Sequence, residues 1–208
     1  MSWIDRQFSG FGAKVACHEG GRTWTYADFG AEVDRLEGLL SPAVGSVPAV
    51  IAIQMDGTMK ALASVLAIVR LKQVALPLSP EMPMAEQVEQ QRIAGATFVL
   101  SAEGLRPQPT MANDSKLIGQ LSERGHAGLI LFSSGTSGEP KGMLHDVEAL
   151  LERYREVRPR ADRTVQLLLA DHIGGLDSAF RTLFSGSTLV VPEARTALSV
   201  GEAVERYD

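Results

Sequence analysis

The residues best suited to chemistry lie in one short stretch, 133–142, directly after an apolar run. Its sequence is SSGTSGEPKG, so hydroxyl groups, glycines and one lysine are concentrated there. Glycines let a backbone approach a ligand closely, successive amides and hydroxyls bind anions, and a lysine supplies a positive charge. The combination predicts a phosphate-binding loop, although a plain polar hairpin or turn has the same composition.

The spacing within this stretch excludes several common motifs. Pro140 precedes Lys141 and Gly142 follows it, so the Walker pattern GxxxxGK[ST] is not met, and neither is the dinucleotide pattern GxGxxG. Ser137 lies one position too far from Lys141 for the SxxK motif of β-lactamases.

The number and spacing of the histidines and the cysteine argue against a metal site, a disulfide and a cysteine nucleophile. The four histidines are too far apart along the chain for an HxxxH-type metal site, so we name no metal ligands. The single cysteine, Cys17, excludes an internal disulfide and a cysteine-rich metal site. Cys17 is part of no recognised pattern that pairs a cysteine nucleophile with a base, which argues against a cysteine nucleophile.

Overall composition is that of an ordinary globular chain. The 208 residues are 45% hydrophobic and 22% charged, with a formal net charge of −5, which argues against nucleic acid and anionic membranes as partners. The N-terminus lacks the apolar stretch of a signal peptide, and the longest apolar run, 61–69, is half the length of a membrane span. We therefore expect a cytoplasmic protein without a membrane span.

Strand and helix patterns alternate along the chain and predict an α/β fold, a mostly parallel sheet with flanking helices. The helix within 22–40 opens on a capping signature, Thr25 with Asp28 three residues later. The stretch 103–113 is predicted to be a surface loop. Strands are predicted at 49–55, 74–78, 96–101, 128–134, 164–170 and 187–192, and further helices at 58–71, 86–94, 146–155, 176–184 and 199–206.

The string LILFSSGTSGEPKGMLHD (129–146) closely resembles the phosphate-loop signature of the adenylate-forming, or AMP-binding, superfamily. This superfamily includes acyl-CoA synthetases, aryl-CoA ligases and the adenylation domains of peptide synthetases. Its signature is an apolar strand followed by Ser/Thr-Ser/Thr-Gly-Thr-Ser/Thr-Gly-x-Pro-Lys-Gly, and every defining position is filled. Three further segments, 22–29, 50–80 and 167–191, are similar to the family's N-terminal region.

The resemblance implies roles for individual residues. Lys141, Thr136 and His172 would take part in catalysis, with ATP and Mg²⁺ as cofactors of the complete enzyme. The stretch HIGGL matches a His-x-x-Gly-type stretch of acyl- and aryl-CoA ligases, which places His172, Gly174 and Gly175 in the pocket for the acid. The residues implied to bind the nucleotide phosphates are Ser133, Ser134, Gly135, Thr136, Ser137, Gly138, Lys141 and Gly142.

Less specific explanations of the same residues stay open. His172 could be a core histidine, and Gly174 and Gly175 could simply end a strand before the next helix. Asp171 keeps an amino-acid substrate possible, because amino-acid-activating members of the family use an Asp in this region for the substrate amine.

The resemblance also implies a function for the chain. We expect an acid–thiol ligase that joins a carboxylic acid, of the fatty or aryl kind, to ATP as an acyl-adenylate. The acyl group then passes to a thiol of CoA or of a carrier protein. Residues 1–208 resemble the N-terminal part of such a domain without its C-terminal domain, so we expect this fragment to be inactive alone and to self-associate through exposed apolar surface. The alternatives are a non-catalytic or split-assembly module, and an unrelated phosphate-binding protein.

Overall fold

The computed structural model describes residues 3–109, 115–134 and 140–207, which form an α/β structure with helices packed around two sheets. The helices are α1 (Trp3–Phe11), α2 (Tyr26–Leu40), α3 (Thr58–Arg70), α4 (Met84–Ala94), α5 (Lys116–Glu123), α6 (Val147–Glu152), α7 (Ile173–Phe184) and α8 (Ala197–Tyr207). The strands are β1 (Val15–Glu19), β2 (Arg22–Thr25), β3 (Val50–Gln54), β4 (Val74–Pro77), β5 (Phe98–Ser101), β6 (Gly104–Pro107), β7 (Gly128–Ser134), β8 (Pro140–Asp146), β9 (Arg163–Val165) and β10 (Thr188–Val191).

The larger sheet has six strands in the order β6-β5-β3-β4-β7-β8. Its four central strands are parallel, and the antiparallel strands β6 and β8 form its two edges. The central strand β3 is a short β-branched run that is buried almost throughout, as expected for a parallel strand with both faces covered. Its neighbour in sequence, α3, is also mostly buried.

The smaller sheet has four strands in the order β2-β1-β10-β9. Here β1 lies parallel to β10, with Cys17 opposite Leu189, and β2 returns antiparallel to β1. The predicted α/β class with mostly parallel pairing is confirmed, but the strands are divided between two sheets. The strands β1 and β2 and the helix α1 had no counterpart in the sequence-based prediction.

The start of α2 confirms the predicted capping signature. The hydroxyl of Thr25 accepts a hydrogen bond from the amide of Asp28 at 3.0 Å, and the Asp28 carboxylate accepts one from the amide of Thr25 at 2.8 Å. These bonds satisfy two backbone donors that a helix start leaves free. Hydrogen bonds from the amide and the hydroxyl of Thr25 to the Asp28 carboxylate hold the pKa of that carboxyl below its usual value. Apolar residues of α2 then pack against α3 at helical spacing.

The predicted strand 164–170 is wrong over most of its length, because only Arg163–Val165 is strand. The side chain of Gln166 explains the break. It is buried, and its amide nitrogen donates to the carbonyl of Leu168 at 2.6 Å and to that of Gly175 at 3.1 Å. These bonds turn the backbone away from the sheet, so that Leu168 is exposed.

The predicted surface loop 103–113 is also partly wrong. Gly104–Pro107 forms the edge strand β6, which pairs antiparallel with β5. Residues 110–114 lie outside the described part, and the unpredicted helix α5 follows them. Among the described residues, no helix combines the length and the apolar character needed to cross a bilayer.

Candidate active site

The stretch 133–142 is not a loop at either end. Strand β7 continues to Ser134 and β8 begins at Pro140, and the two strands pair antiparallel as a hairpin. Polar and glycine-rich composition suggested a loop, but the antiparallel pairing satisfies the backbone of both arms. Gly135, Thr136, Ser137 and Gly138, which lie between the two strands in sequence, are outside the described residues, so their contacts with phosphate stay predictions.

Lys141 lies in β8 directly opposite Ser133 in β7. Side chains of directly opposed residues in an antiparallel pair project from the same face. Both residues are exposed. The hairpin therefore presents a primary ammonium and a hydroxyl side by side, and their predicted contacts with phosphate stay predictions.

Gly142 lies opposite Phe132 in the same hairpin. A Cβ atom at Gly142 would come within 3.2 Å of Cζ of the Phe132 ring. The glycine thus leaves room for this ring beside the hairpin backbone. That packing role is independent of the phosphate contact predicted for Gly142, which stays a prediction.

A cavity of about 560 Å³ opens beside the hairpin. On one side it is lined by Phe132, Ser133 and Pro140, and on another by Asp171 and His172 at the start of α7. The cavity lies at the carboxyl ends of β4 and β7, where ligands bind in open α/β sheets. The structure therefore brings the predicted phosphate segment and the predicted acid-pocket segment to one cavity.

His172 occupies the N-cap position of α7 without using its side chain as a cap. Its side chain is 64% exposed, with Nε2 3.8 Å from a carboxylate oxygen of Asp171. It is therefore not a core histidine. The positive end of the α7 dipole lies at the same point, an environment that favours a carboxylate or a phosphate.

Asp171 is the more buried of this pair, with 9% of its side chain exposed. Its Oδ1 atom is buried and has no hydrogen-bond partner among the described residues. A buried carboxylate oxygen without a partner is costly, so this atom marks a place where a donor group would be stabilising.

Gly174 and Gly175 lie in the first turn of α7 and differ in their surroundings. A Cβ at Gly175 would fall 1.8 Å from the carbonyl oxygen of Leu169, whereas a Cβ at Gly174 would make an ordinary contact with Leu168 at 3.4 Å. Gly175 is thus required for the close packing of α7 on the preceding segment. The predicted contact of both glycines with the acid stays a prediction.

Sequence reasoning missed the third wall of the cavity, which is formed by α4 and the segment before it. Glu86, Glu89 and Gln90 of this helix line the cavity. The signal was the run EQVEQQ, which places glutamines at helical spacing where a core-facing stripe should be apolar.

The thiol of Cys17 takes no part in this site. Its side chain is buried in β1. Burial raises the pKa of the thiol well above its usual value, and the nearby Glu19 carboxylate raises it further. Cys17 is therefore a protonated core residue, not a nucleophile.

Comparison with known proteins identifies the family. The sequence model of the AMP-binding enzyme family matches residues 4–208, and the chain therefore belongs to this family.

Relatives in sequence include large peptide synthetases. The non-ribosomal peptide synthetase CmlP of Streptomyces venezuelae is 27% identical over an alignment of 222 positions, gaps included, which covers 93% of this chain and 22% of that protein. The nonribosomal peptide synthetase gliP of Aspergillus fumigatus is 33% identical over 172 residues, covering 72% of this chain and 8% of that protein. The chain thus spans less than a quarter of the length of either relative.

Similar solved structures include two adenylate-forming proteins. The N-terminal subdomain of NpsA from Klebsiella oxytoca, in complex with 3-hydroxyanthranilyl-AMSN, has a TM-score of 0.76 and 20% identity, with 98% of this chain and 56% of that chain covered. The O-succinylbenzoate coenzyme A synthetase MenE from Bacillus subtilis, in complex with AMP, has a TM-score of 0.73 and 19% identity, with 99% and 59% covered. At this identity the likeness establishes the fold.

Proposed function

We propose that residues 1–208 are the N-terminal part of an adenylation domain that activates a carboxylic acid with ATP. The observation that carries this proposal is the meeting of the β7–β8 hairpin with the start of α7 at one cavity. The hairpin presents Lys141 and Ser133 on one face, and α7 presents His172 and its positive dipole end. Membership of the AMP-binding enzyme family supports the same function.

The proposed reaction needs no protein nucleophile. A carboxylate oxygen of the acid attacks the α-phosphorus of ATP, forming a new O–P bond. The bond from this phosphorus to the bridging oxygen of pyrophosphate breaks, and pyrophosphate leaves with the electron pair. The products are an acyl-adenylate and pyrophosphate, so the protein has only to position the reactants and to stabilise charge.

The predicted phosphate-binding residues of 133–142 have specific roles in this proposal. Lys141 places a positive charge against the departing pyrophosphate, and the Ser133 hydroxyl beside it donates to a phosphate oxygen. The other predicted residues, Ser134, Gly135, Thr136, Ser137, Gly138 and Gly142, supply amides and hydroxyls around the same phosphates. His172 lies at the entrance to the acid's part of the cavity.

ATP would bring Mg²⁺ with it, as the family resemblance implies. Within the described parts of the chain no three His, Cys, Asp or Glu residues come together as a metal site. We assign no ligand to the ion and derive no step from it.

We further propose that the acid is of the fatty or aryl kind and that a thiol, of CoA or of a carrier protein, accepts the acyl group in the cytoplasm. The apolar part of the cavity wall, including Phe132 and Met82, suits a hydrocarbon chain or ring. The solved relatives include a CoA synthetase for O-succinylbenzoate and an adenylation–carrier-protein fusion of NpsA, which support both acceptors.

The test is ATP–pyrophosphate exchange by the natural full-length protein that contains this sequence, with benzoate, hexanoate and phenylalanine as separate substrates. We expect exchange to depend on an acid and to be faster with benzoate or hexanoate than with phenylalanine. The isolated 208 residues serve as the comparison, and we expect them to give no acid-dependent exchange.

Two results would decide against the proposal. Absence of exchange with every acid tested would reject the adenylation function. Exchange with phenylalanine that Asp171→Ala abolishes would instead assign the domain to amino acids, with Asp171 as the partner of the substrate ammonium.

A further inference from the structure

The polarity of helix α4 is inverted relative to an ordinary surface helix. Gln87, Gln90 and Gln91 are buried, whereas Met84 and Val88 are exposed. An amide loses its water on burial, which is unfavourable unless hydrogen bonds replace that water. The hydrogen-bond partners of the three amides therefore show which of these glutamines hold α4 in place and which is left to bind another group.

Two of these glutamines are accounted for by protein partners. The amide nitrogen of Gln87 donates to the carbonyl of Met82 at 2.9 Å, and its oxygen accepts from the side chain of Gln54 at 2.5 Å. The oxygen of Gln91 accepts from the side chain of Gln108 at 3.3 Å. These bonds fix α4 over the end of β3 and over the segment after β6.

Gln90 differs from its two neighbours. It is 9% exposed and lines the cavity beside the hairpin. Its amide makes no hydrogen bond within the described parts of the chain, and it is open to the cavity, because it is not among the fully buried polar atoms that lack a partner. Asp171 lines the same cavity, and its Oδ1 is fully buried without a partner among the described residues. The cavity wall thus presents two polar groups that the described residues leave unpaired.

We propose that Gln90 is a specificity-determining residue that hydrogen-bonds to a hydroxyl or amino group of the acid, remote from the reacting carboxylate. The proposal rests on the proposed function and names the substrate class within it. A carboxamide both donates and accepts, so it matches either substituent, and the unpaired Asp171 oxygen can accept a second bond from the same group.

The acidic side chains on this wall favour a neutral or cationic substituent over a second carboxylate on the acid. Glu86 and Glu89 line the cavity next to Gln90. Arg92 donates to Glu89 at 2.6 Å and 2.8 Å and holds the pKa of that carboxyl below its usual range, so Glu89 is ionised. Like charges repel, whereas a neutral hydroxyl or a cationic ammonium is tolerated. A volume of about 560 Å³ is ample for a small acid with such a substituent.

The test compares Gln90→Leu with Gln91→Leu in the natural full-length protein. Both variants replace a buried glutamine on the same face of α4, but Gln91 does not line this cavity. Exchange is measured with benzoate, 3-hydroxybenzoate and 3-aminobenzoate, and with hexanoate, 6-hydroxyhexanoate and 6-aminohexanoate. Within each series the acids differ only in the polar group. Comparison of the hydroxyl and amino forms shows which of the two substituents is preferred.

We expect the wild-type protein to prefer a substituted acid over its parent by about 10-fold or more in kcat/KM, because an unsubstituted acid leaves Gln90 unpaired. Gln90→Leu should lower kcat/KM for the substituted acid by about 10- to 100-fold and leave the parent acid within about threefold. Gln91→Leu should keep the wild-type preference. Gln90→Glu, which keeps the length of the side chain, should shift the preference towards the amino-substituted acid in each series, 3-aminobenzoate or 6-aminohexanoate.

The possible failures are distinguishable. Absence of exchange with every acid would reject the proposed function and this inference together. Exchange without preference for a substituted acid, or a preference that Gln90→Leu leaves unchanged, would reject the inference alone. Thermal melting of each variant shows whether it is folded. If Gln90→Leu does not fold, Gln90→Glu still tests the inference through the expected shift in substrate preference.

Discussion

The carboxylate of Glu19 accepts a hydrogen bond from the backbone amide of Met59 at 3.3 Å and joins the two sheets of the molecule. Glu19 ends β1 in the smaller sheet, whereas Met59 lies in the first turn of α3, which packs on the larger sheet. The same carboxylate accepts from the amide of Thr58. The N-cap residue of α3 is Gly57, which has no side chain to offer, so the cap is supplied from the other sheet.

Removal of this cap should destabilise the fold. We expect Glu19→Ala to lower the free energy of unfolding by about 1–2 kcal/mol, because the first amides of α3 lose a charged acceptor. Urea denaturation at pH 7 measures the change. The control is Glu103→Ala, which removes an exposed glutamate. Equal midpoints for the two variants would show that the cap across the sheets contributes nothing.

Alanine substitutions at the adjacent glycines of α7 should have opposite effects. Gly175→Ala forces a Cβ against the Leu169 carbonyl, where the distance would be 1.8 Å, so we expect a loss of about 3 kcal/mol or more. Gly174→Ala meets no such obstacle and should be neutral or stabilising by up to about 1 kcal/mol, because alanine favours a helix. Melting temperatures of both variants measure the difference. Similar melting temperatures would contradict the packing role of Gly175.

Replacement of Lys141 should affect catalysis and leave stability unchanged. In the natural full-length protein, Lys141→Ala should slow acid-dependent pyrophosphate exchange by about 100-fold or more, through lost charge stabilisation in the transition state. The side chain is exposed, so the melting temperature should change little. Lys116→Ala, at another exposed lysine, is the control. An exchange rate equal to that of the control would leave Lys141 without a catalytic role.

Asp146, the N-cap of α6, should give a pH-dependent contribution to stability. Burial raises the pKa of its carboxyl, but hydrogen bonds from His126 at 2.7 Å and from the amide of Ala149 at 3.1 Å lower it further than burial raises it. Because the folded-state pKa lies below the usual value of 3.8, the contribution is fully present above that value. It is lost as the pH falls through the folded-state pKa.

We therefore expect Asp146→Asn to be less stable than wild type by about 1 kcal/mol at pH 7. The difference should shrink as the pH is lowered below about 4. Urea denaturation of both proteins at pH 7, 5, 4 and 3 measures it. A difference that stays constant over this range would show that the charge of Asp146 does not contribute.

The central elements could be predicted because local signals and tertiary packing agree there. β3 is a β-branched run between turns, and α2 spans Tyr26–Leu40 between its cap residues Thr25 and Ser41. The predicted strand 164–170 failed because one buried side chain, Gln166, makes hydrogen bonds that redirect the backbone. One of these bonds reaches the carbonyl of Gly175, nine residues further along the chain. The sequence around Gln166 therefore does not indicate where the strand ends.

The candidate site was predictable from its motif but not in its shape. The resemblance of 129–146 identified the hairpin residues, but no local pattern shows that Ser133, in the larger sheet, meets His172, which follows β9 of the smaller sheet, at one cavity. Composition could not show that Pro140 and Lys141 continue as a strand, because pairing with β7 outweighs their low strand propensity. The α4 wall was missed because the prediction of a helix at 86–94 does not show which of its side chains face a cavity.

The parallel pairing of β1 with β10 has a consequence for synthesis on the ribosome. The partner of Cys17 is Leu189, about 170 residues later in the chain. At the usual rate of translation, roughly ten to thirty seconds pass between the synthesis of β1 and that of β10. Phe184, on which Phe8 packs, and the Leu183 carbonyl, which accepts from Tyr26, are made equally late. β2 can cover one edge of β1 early, but its other edge and these aromatic side chains stay uncovered until β10 and α7 are made, which favours binding by chaperones.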